Sequence, residues 1–204
     1  MTPPSLSAVI LAGGAARRMG GGDKPLRLLK GKPILDWIVA RIRPQVRFLA
    51  ISANGDPERF SAYKLPVLPD RLPDLGPMAG ILAAMDWANE TNPDAHHILT
   101  LSGDTPFLPV DLVERLSTQT AHHPSEIIAA ASAGQVHPTI ALWPMAARTN
   151  IQKALNENKG RRVSDWLSIL NHQSVAWDHL PFDPFFNVNS PEDLQEAEKI
   201  ALIA

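Results

Sequence analysis

The 204-residue chain contains no cysteine, and its charges of opposite sign nearly cancel. The missing cysteines exclude disulfides, thiolate nucleophiles, cysteine-ligated iron–sulfur clusters and the usual structural zinc sites. The 19 basic and 21 acidic residues leave a formal net charge of -2, so no overall positive field attracts nucleic acid or anionic lipid. We therefore expect no nucleic-acid partner, and any phosphate ligand must be held by a local site.

Long hydrophobic segments are scarce as well. The first apolar run, residues 8–12, ends at two glycines and is too short for a signal peptide. Residues 127–147 carry no formal charge and are long enough to cross a bilayer, but Gly134, Pro138 and Pro144 favour two short strands and a turn. We therefore expect a cytoplasmic protein that does not enter a membrane.

Short apolar runs alternate with amphipathic segments along the chain. Strands are expected at residues 8–12, 46–52, 65–68, 98–101, 126–132 and 139–143. Helices are expected at residues 33–43, 77–89, 150–158 and 163–170, with others opening at Asp56, Pro109 and Ser190. This alternation predicts an α/β fold, a three-layer αβα sandwich around a mostly parallel, Rossmann-like sheet. We expect residues 1–204 to form a single domain and the protein to be a monomer.

Glycine or polar residues follow four of the predicted strands. Gly13 and Gly14 follow the first strand, Asn54 the second, Asp70 the third and Asp104 the fourth. Ligands of open α/β sheets bind outside the carboxyl ends of the strands. We therefore expect these residues to belong to one site.

The segment from Leu11 to Lys24, Leu-Ala-Gly-Gly-Ala-Ala-Arg-Arg-Met-Gly-Gly-Gly-Asp-Lys, is rich in glycine and basic residues. Glycines let backbone N–H groups approach a phosphate chain, and Arg17, Arg18 and Lys24 can supply positive charge. A Walker A loop is excluded because proline follows Lys24, and the loop lacks the Gly-x-Gly-x-x-Gly of dinucleotide-binding proteins. The residues alone leave a basic surface loop as the alternative.

Asp104 is the strongest candidate for a metal ligand in the sequence. It follows a strand of apolar residues, and Pro106 holds Thr105 in extended conformations. Magnesium in proteins takes one or two carboxylates and completes its shell with phosphate oxygens and water. From position alone, the alternative is an aspartate that caps the following helix.

Together these motifs resemble those of the molybdenum cofactor guanylyltransferases. The loop matches the pattern Leu-x-Gly-Gly-x-x-x-Arg-Met-Gly-x-x-x-Lys; Gly22, a departure from some members, leaves open whether Arg17 or Arg18 contacts the phosphates. The resemblance continues in the same order at Asn54, Pro69-Asp70, Gly76-Pro-Met-Ala-Gly80, Gly103-Asp-Thr-Pro106, His137-Pro-Thr-Ile-Ala-Leu142 and Phe186-Asn-Val-Asn189. The ordered set covers nearly the whole chain.

The resemblance implies a nucleotidyltransferase that uses Mg²⁺. Such an enzyme transfers GMP from GTP to the terminal phosphate of molybdopterin, releases pyrophosphate and gives the guanine dinucleotide form of the cofactor. The nucleotide-binding residues that the resemblance implies are Leu11, Ala12, Gly13, Gly14, Lys24, Asn54, Asp70 and Asp104. The implied catalytic residues are Arg18, Lys24 and Asp104, with the metal on Asp104. A phosphate nucleophile is already ionised at neutral pH, so no side-chain base is expected.

The same resemblance gives the nucleotide to the N-terminal half of the domain and the acceptor to the C-terminal half. His137, Asn187 and Asn189 are the implied acceptor residues, although by position His137 could simply begin a strand. A CTP-using relative acting on the same pterin, or on a sugar or polyol phosphate, stays open, as does a non-catalytic nucleotide-binding protein that delivers the cofactor. Lys24 and Asp104 favour an enzyme. Molybdoenzymes or other proteins of cofactor biosynthesis are the expected protein partners.

Overall fold

A computed structural model, which describes residues 5–13, 23–70, 76–157 and 162–204, contains a seven-stranded sheet and a two-stranded hairpin. The strands are β1 (Ser7–Leu11), β2 (Leu28–Leu29), β3 (Lys32–Pro33), β4 (Phe48–Ser52), β5 (Val67–Leu68), β6 (His97–Ser102), β7 (Ile127–Ser132), β8 (Gln135–Pro144) and β9 (His172–Trp177). The α-helices are α1 (Ile34–Ile42), α2 (Pro77–Thr91), α3 (Leu112–Thr120), α4 (Arg148–Asn156), α5 (Val163–Ile169) and α6 (Pro191–Ile200). Short 3-10 helices span Lys24–Leu26, Arg43–Gln45, Pro57–Tyr63 and Met145–Ala147.

The strands of the large sheet follow the order β5-β4-β1-β6-β8-β7-β9. β1 is parallel to both of its neighbours, β4 and β6, and β5 is parallel to β4. β8 is antiparallel to β6 and β7, and β9 is parallel to β7. Within this sheet β8 alone runs against the others, which confirms the prediction of a mostly parallel sheet.

The central strand β1 is buried on both sides, as expected of a parallel strand covered by helices. Val9 belongs to the apolar cluster formed with α2, α4 and α5, whereas Ala8 and Ile10 belong to the cluster formed with α1, α3 and α6. The clusters lie on opposite faces because successive side chains of a strand point in opposite directions. Two helical layers therefore enclose the sheet, and the predicted αβα sandwich is confirmed.

Some elements differ from the sequence-based expectation. β9 was not predicted, because it is an edge strand in which exposed residues alternate with partly covered ones, and it has no apolar run. The short β2–β3 hairpin was missed as well. The helix expected to open at Pro109 begins at Leu112. Within the described residues, no helix combines the length and apolar character that a bilayer crossing requires.

Candidate functional site

A cleft of about 500 Å³ opens at the carboxyl ends of β1, β4, β5 and β6. It is lined by Leu11, Ala12, Gly13, Lys24, Pro25, Ser52, Asn54, Asp70, Gly76, Pro77, Gly80, Ser102, Gly103, Asp104 and Thr139. The glycine segment after β1 and the aspartate after β6 thus face the same space. Seven of the eight residues that the resemblance assigns to the nucleotide line this cleft. The eighth, Gly14, and the predicted catalytic residue Arg18 lie outside the described residues.

The ends of β1 and β6 are brought together at Gly103. Its backbone N–H donates to the Leu11 carbonyl over 3.1 Å. A Cβ added at residue 103 would lie 2.8 Å from that same carbonyl oxygen and 3.2 Å from the Ala12 Cα. Only glycine permits this approach without a shift of the backbone. This close approach places the next residue, Asp104, near the end of β1.

Asp104 is largely covered and is held mainly by Ser102 and Lys24, with the Thr105 hydroxyl 3.5 Å from its Oδ1. The Ser102 hydroxyl donates to Asp104 Oδ1 over 2.6 Å. The Lys24 ammonium lies 2.8 Å from Asp104 Oδ2, and the two side chains are 16% and 14% exposed. Because the pair is shielded from water, its attraction is screened less than that of a surface ion pair.

The Lys24 ammonium also donates to Asn189 Oδ1. Asn189 lies just before α6, where the Ser190 hydroxyl and the Asp193 carboxylate form a capping box. The Asp193 carboxylate accepts from the backbone N–H groups of Asn189 and Ser190, each over 2.8 Å. The cap of α6 therefore positions the side-chain oxygen of Asn189, a residue of the C-terminal half, near Asp104.

The oxygens of Asp104 and Asn189 would suit a hard divalent cation. Together they bracket a positive charge, the Lys24 ammonium. Among the described residues, no group of three or more histidine, cysteine or acidic side chains is arranged to hold a metal. The chemistry of the donors fits magnesium, which takes few protein oxygens and fills its other positions with phosphate and water.

The other end of the cleft is built on Asn54 and Asp70. The Asn54 amide donates to Asp70 Oδ2, and the Asp70 backbone N–H donates to Asn54 Oδ1, each over 2.8 Å. Burial raises the pKa of the Asp70 carboxyl, while hydrogen bonds from Asn54 and Ser52 act in the opposite direction. A Cβ at Gly80 would lie 2.8 Å from the Ser52 hydroxyl, so glycine lets α2 pack closely against this end.

Two of the predicted acceptor residues, His137 and Asn187, form hydrogen bonds with other residues of the protein and do not line the cleft. His137 Nε2 lies 2.8 Å from the Ser132 hydroxyl, and its ring packs on Phe185 with the centroids 4.9 Å apart. Burial lowers the pKa of His137. Asn187 Oδ1 accepts from the Thr105 hydroxyl over 2.6 Å. Neither residue is among those that line the cleft, and their acceptor role stays a prediction.

Three hydroxyl residues of the cleft, Ser52, Ser102 and Thr139, were missed in the sequence. Ser52 and Ser102 are the last residues of β4 and β6, so the rule about strand ends could have found them. Thr139 lies inside β8 and follows a proline, an unusual neighbour in a central strand. Pro138 was therefore the feature of the sequence that could have identified Thr139 as a cleft residue.

Comparison with known proteins places these features in a family. Residues 8–174 match the family described as MobA-like NTP transferase domain. The molybdenum cofactor guanylyltransferase of Rhodopseudomonas palustris (strain BisB5) is 47% identical to this chain over 200 residues, covering 98% of the chain and 95% of the relative. The molybdenum cofactor guanylyltransferase of Rhizobium meliloti (strain 1021) is 42% identical over 197 residues, covering 94% and 89%.

Solved structures share the fold at lower sequence identity. Molybdopterin-guanine dinucleotide biosynthesis protein A from Archaeoglobus fulgidus superposes with a TM-score of 0.76 at 23% identity, covering 98% of this chain and all of that one. A CMP:2-keto-3-deoxy-manno-octonic acid synthetase complexed with CTP gives a TM-score of 0.75 at 14% identity, covering 98% and 99%. At these identities the likeness extends to the fold alone.

Proposed function

The chain belongs to the MobA-like NTP transferase family, and on that premise we propose that it is a molybdenum cofactor guanylyltransferase. In the proposed reaction, a terminal phosphate oxygen of molybdopterin attacks the α-phosphorus of GTP. A new phosphorus–oxygen bond forms as the bond to the leaving pyrophosphate breaks. The product is the guanine dinucleotide form of the cofactor.

The observation that carries the proposal is the shared cleft. Positions 11–13, 24, 54, 70 and 104 are far apart in the sequence, yet they line one space of about 500 Å³. A cavity of this size lies within the range of small-molecule sites. The near full-length relatives named molybdenum cofactor guanylyltransferase support the choice of reaction.

Each end of the cleft has a chemistry that suits one part of GTP. Asn54 and Asp70 offer carbonyl and carboxylate oxygens, and guanine carries N–H donors on its edge. The Lys24 ammonium and the backbone N–H group of Gly13 suit the triphosphate, whereas the Ala12 N–H already donates to the Ser52 carbonyl. We propose that the guanine base lies at the end formed by Asn54 and Asp70, which we call the base end. The phosphates then lie near Lys24, with Arg18 as a further contact.

We propose that Asp104 and Asn189 hold Mg²⁺ when the substrates bind. The ion would neutralise phosphate charge and polarise the α-phosphorus for attack. Lys24 donates to both of these oxygens, so the lysine and the metal compete for them. A released Lys24 is free to donate to a phosphate oxygen of the nucleotide. The acceptor phosphate is itself the nucleophile, so the chain needs no general base.

The remaining assignments extend the proposal to the whole molecule. We propose one domain, with the nucleotide in the N-terminal half and the pterin in the C-terminal half near His137, Asn187 and Asn189. We also propose that the protein acts as a monomer. The enzyme would act in the cytoplasm and pass its product to molybdoenzymes or to other proteins of cofactor biosynthesis.

Pyrophosphate release measured with purified protein, molybdopterin and Mg²⁺ tests the function. We expect release with GTP and at least about 10-fold less with CTP, because the hydrogen bonds to guanine are lost. Preference for CTP would replace the guanylyl assignment with the cytidylyl one. Binding of GTP without any pyrophosphate release would favour a carrier that delivers the cofactor.

A further inference from the structure

The strand β8 is irregular at the point where it passes the cleft. Ala129 of β7 pairs with Ala141, but the next residue, Ala130, pairs with His137. A regular antiparallel register would advance by one residue, so residues 138–140 are extra at this step. On its other side, the pairing of β8 with β6 ends at Thr100 and Ala141. Residues 138–140 therefore form a bulge that is paired with neither neighbouring strand.

The sequence explains why the bulge lies here. Pro138 has no backbone N–H to donate to a sheet, and prolines in central strands are confined to bulges. Bulges next to functional sites redirect a side chain out of the regular alternation. Here the affected residue is Thr139, which is partly exposed and lines the cleft. Its hydroxyl makes no side-chain hydrogen bond with any other described residue.

Thr139 lies on the β8 side of the cleft. The pairing of β6 with β8 ends two residues before Ser102 on one strand and two residues after Thr139 on the other, and both of these residues line the cleft. Ser102 is the residue that donates to Asp104. In the order of the strands, β8 lies beyond β6, whereas Asn54 and Asp70 follow β4 and β5 on the far side of β1. Thr139 thus lies on the side of Asp104 opposite the base end.

We propose that Thr139 binds the terminal phosphate of the acceptor. This inference rests on the proposed function, which puts GTP between the base end and Asp104. The attacking phosphate must approach the α-phosphorus from the side opposite to the leaving pyrophosphate. The Thr139 hydroxyl lines the same cleft as Asp104, on the side away from the base end, and it can donate to a phosphate oxygen there. The contact fixes the acceptor without any covalent step on the threonine.

The test uses the variants Thr139→Val and Thr139→Ser. Valine keeps the β-branched shape and removes the hydroxyl, whereas serine keeps the hydroxyl. For Thr139→Val we expect the KM for molybdopterin to rise by about 10- to 100-fold, the loss expected for a hydrogen bond to a charged group. Equilibrium dialysis should show the same weakening of molybdopterin binding. The KM for GTP and the GTP affinity in Mg²⁺ should stay unchanged, and serine should restore most of the acceptor affinity.

The matched control is Thr118→Val on the exposed surface of α3, where the hydroxyl donates only to the Glu114 carbonyl of its own helix. It should not change either KM. A Thr139→Val enzyme with an unchanged acceptor KM, or with a raised KM for GTP instead, would overturn the inference while the wild type still transfers GMP. A wild type that binds no GTP in Mg²⁺ would remove the proposed function, and the inference with it.

Discussion

The two halves of the sheet present their polar residues to the cleft in different ways. In the N-terminal half, Asn54, Asp70 and Asp104 follow parallel strands and reach the cleft directly. In the C-terminal half, His137 and Asn187 bind Ser132 and Thr105, and among the described residues of that half Thr139 alone lines the cleft. Parallel strands bring their carboxyl ends to one edge of a sheet, so each strand end contributes there. The antiparallel strand needs a bulge to do the same.

The two halves also differ in what holds the residues. Gly103 and Gly80 allow close backbone approaches in the nucleotide half. In the acceptor half, Asn189 depends on the capping box of α6. The nucleotide end therefore depends on close packing between neighbouring elements, whereas the acceptor end depends on a helix cap and a strand bulge. Four substitutions test this difference, and they are given in order of decreasing effect.

Asp104→Ala should have the largest effect. Loss of the carboxylate removes one of the two oxygens that bracket Lys24, and we expect GMP transfer to fall by about 10³-fold or more. The control is Asp94→Ala, an exposed carboxylate before β6 at the opposite end of that strand. Steady-state kinetics in Mg²⁺ and a circular dichroism spectrum measure activity and fold. Near wild-type transfer by Asp104→Ala would contradict the metal assignment.

Lys24→Met should separate two roles of the ammonium. The affinity for GTP should fall by about 10- to 100-fold, because charged hydrogen bonds to phosphate are lost. Without nucleotide, however, Mn²⁺ should bind more tightly, since the competing charge no longer occupies the oxygens of Asp104 and Asn189. Calorimetry with GTP and paramagnetic relaxation with Mn²⁺ report the two quantities. Lys32→Met, on the exposed hairpin, should change neither; weaker Mn²⁺ binding to Lys24→Met would argue against competition.

Asp70→Asn tests the base end through both binding and stability. GTP affinity should fall by about 10-fold, because one carboxylate acceptor is lost. Burial raises the pKa of Asp70 above its ordinary 3.8, so the ionised carboxylate weakens folding above the raised pKa. The penalty disappears as the pH falls through the raised pKa and below 3.8. The variant should therefore gain stability relative to wild type at pH 7, with a smaller gain near pH 4.

Denaturant melts of Asp70→Asn and wild type at several pH values measure this gain. Asn54→Ala is the matched comparison, because it removes the donor that partly offsets the burial of Asp70. It should lower stability at pH 7. A gain for Asp70→Asn that grew at low pH would contradict the assigned sign of the pKa shift.

Ser190→Ala should have the smallest effect on activity. It removes one hydrogen bond of the capping box, which typically costs about 1 kcal/mol of unfolding free energy, or roughly 2–4 °C in Tm for a chain of this size. The Asp193 carboxylate still accepts from the Asn189 backbone, so transfer should fall by less than about 10-fold. Calorimetric melting and kinetics provide the readouts. An equal loss in Ser117→Ala, outside the cap, would contradict the local explanation.

Several elements of the fold could be predicted because their signals are local. The apolar run of β1 and the four-residue spacing of Ile34, Ile38 and Ile42 identify buried faces without reference to the rest of the chain. β9 could not be found in this way, since an edge strand needs no continuous apolar run. The base end and Asp104 were accessible for the same local reason, because Asn54, Asp70 and Asp104 each lie two residues after the end of a short apolar strand.

The alternation of strands and helices and the residues at the strand ends follow from the sequence alone, since both are set by side chains close in the chain. The three-dimensional structure was needed to show that Lys24 contacts Asp104 and Asn189, which lie 80 and 165 residues away. It also decided that a bulge in β8 brings Thr139 into the cleft. Such contacts depend on strand order and register, and these result from the packing of the whole sheet rather than from any local pattern.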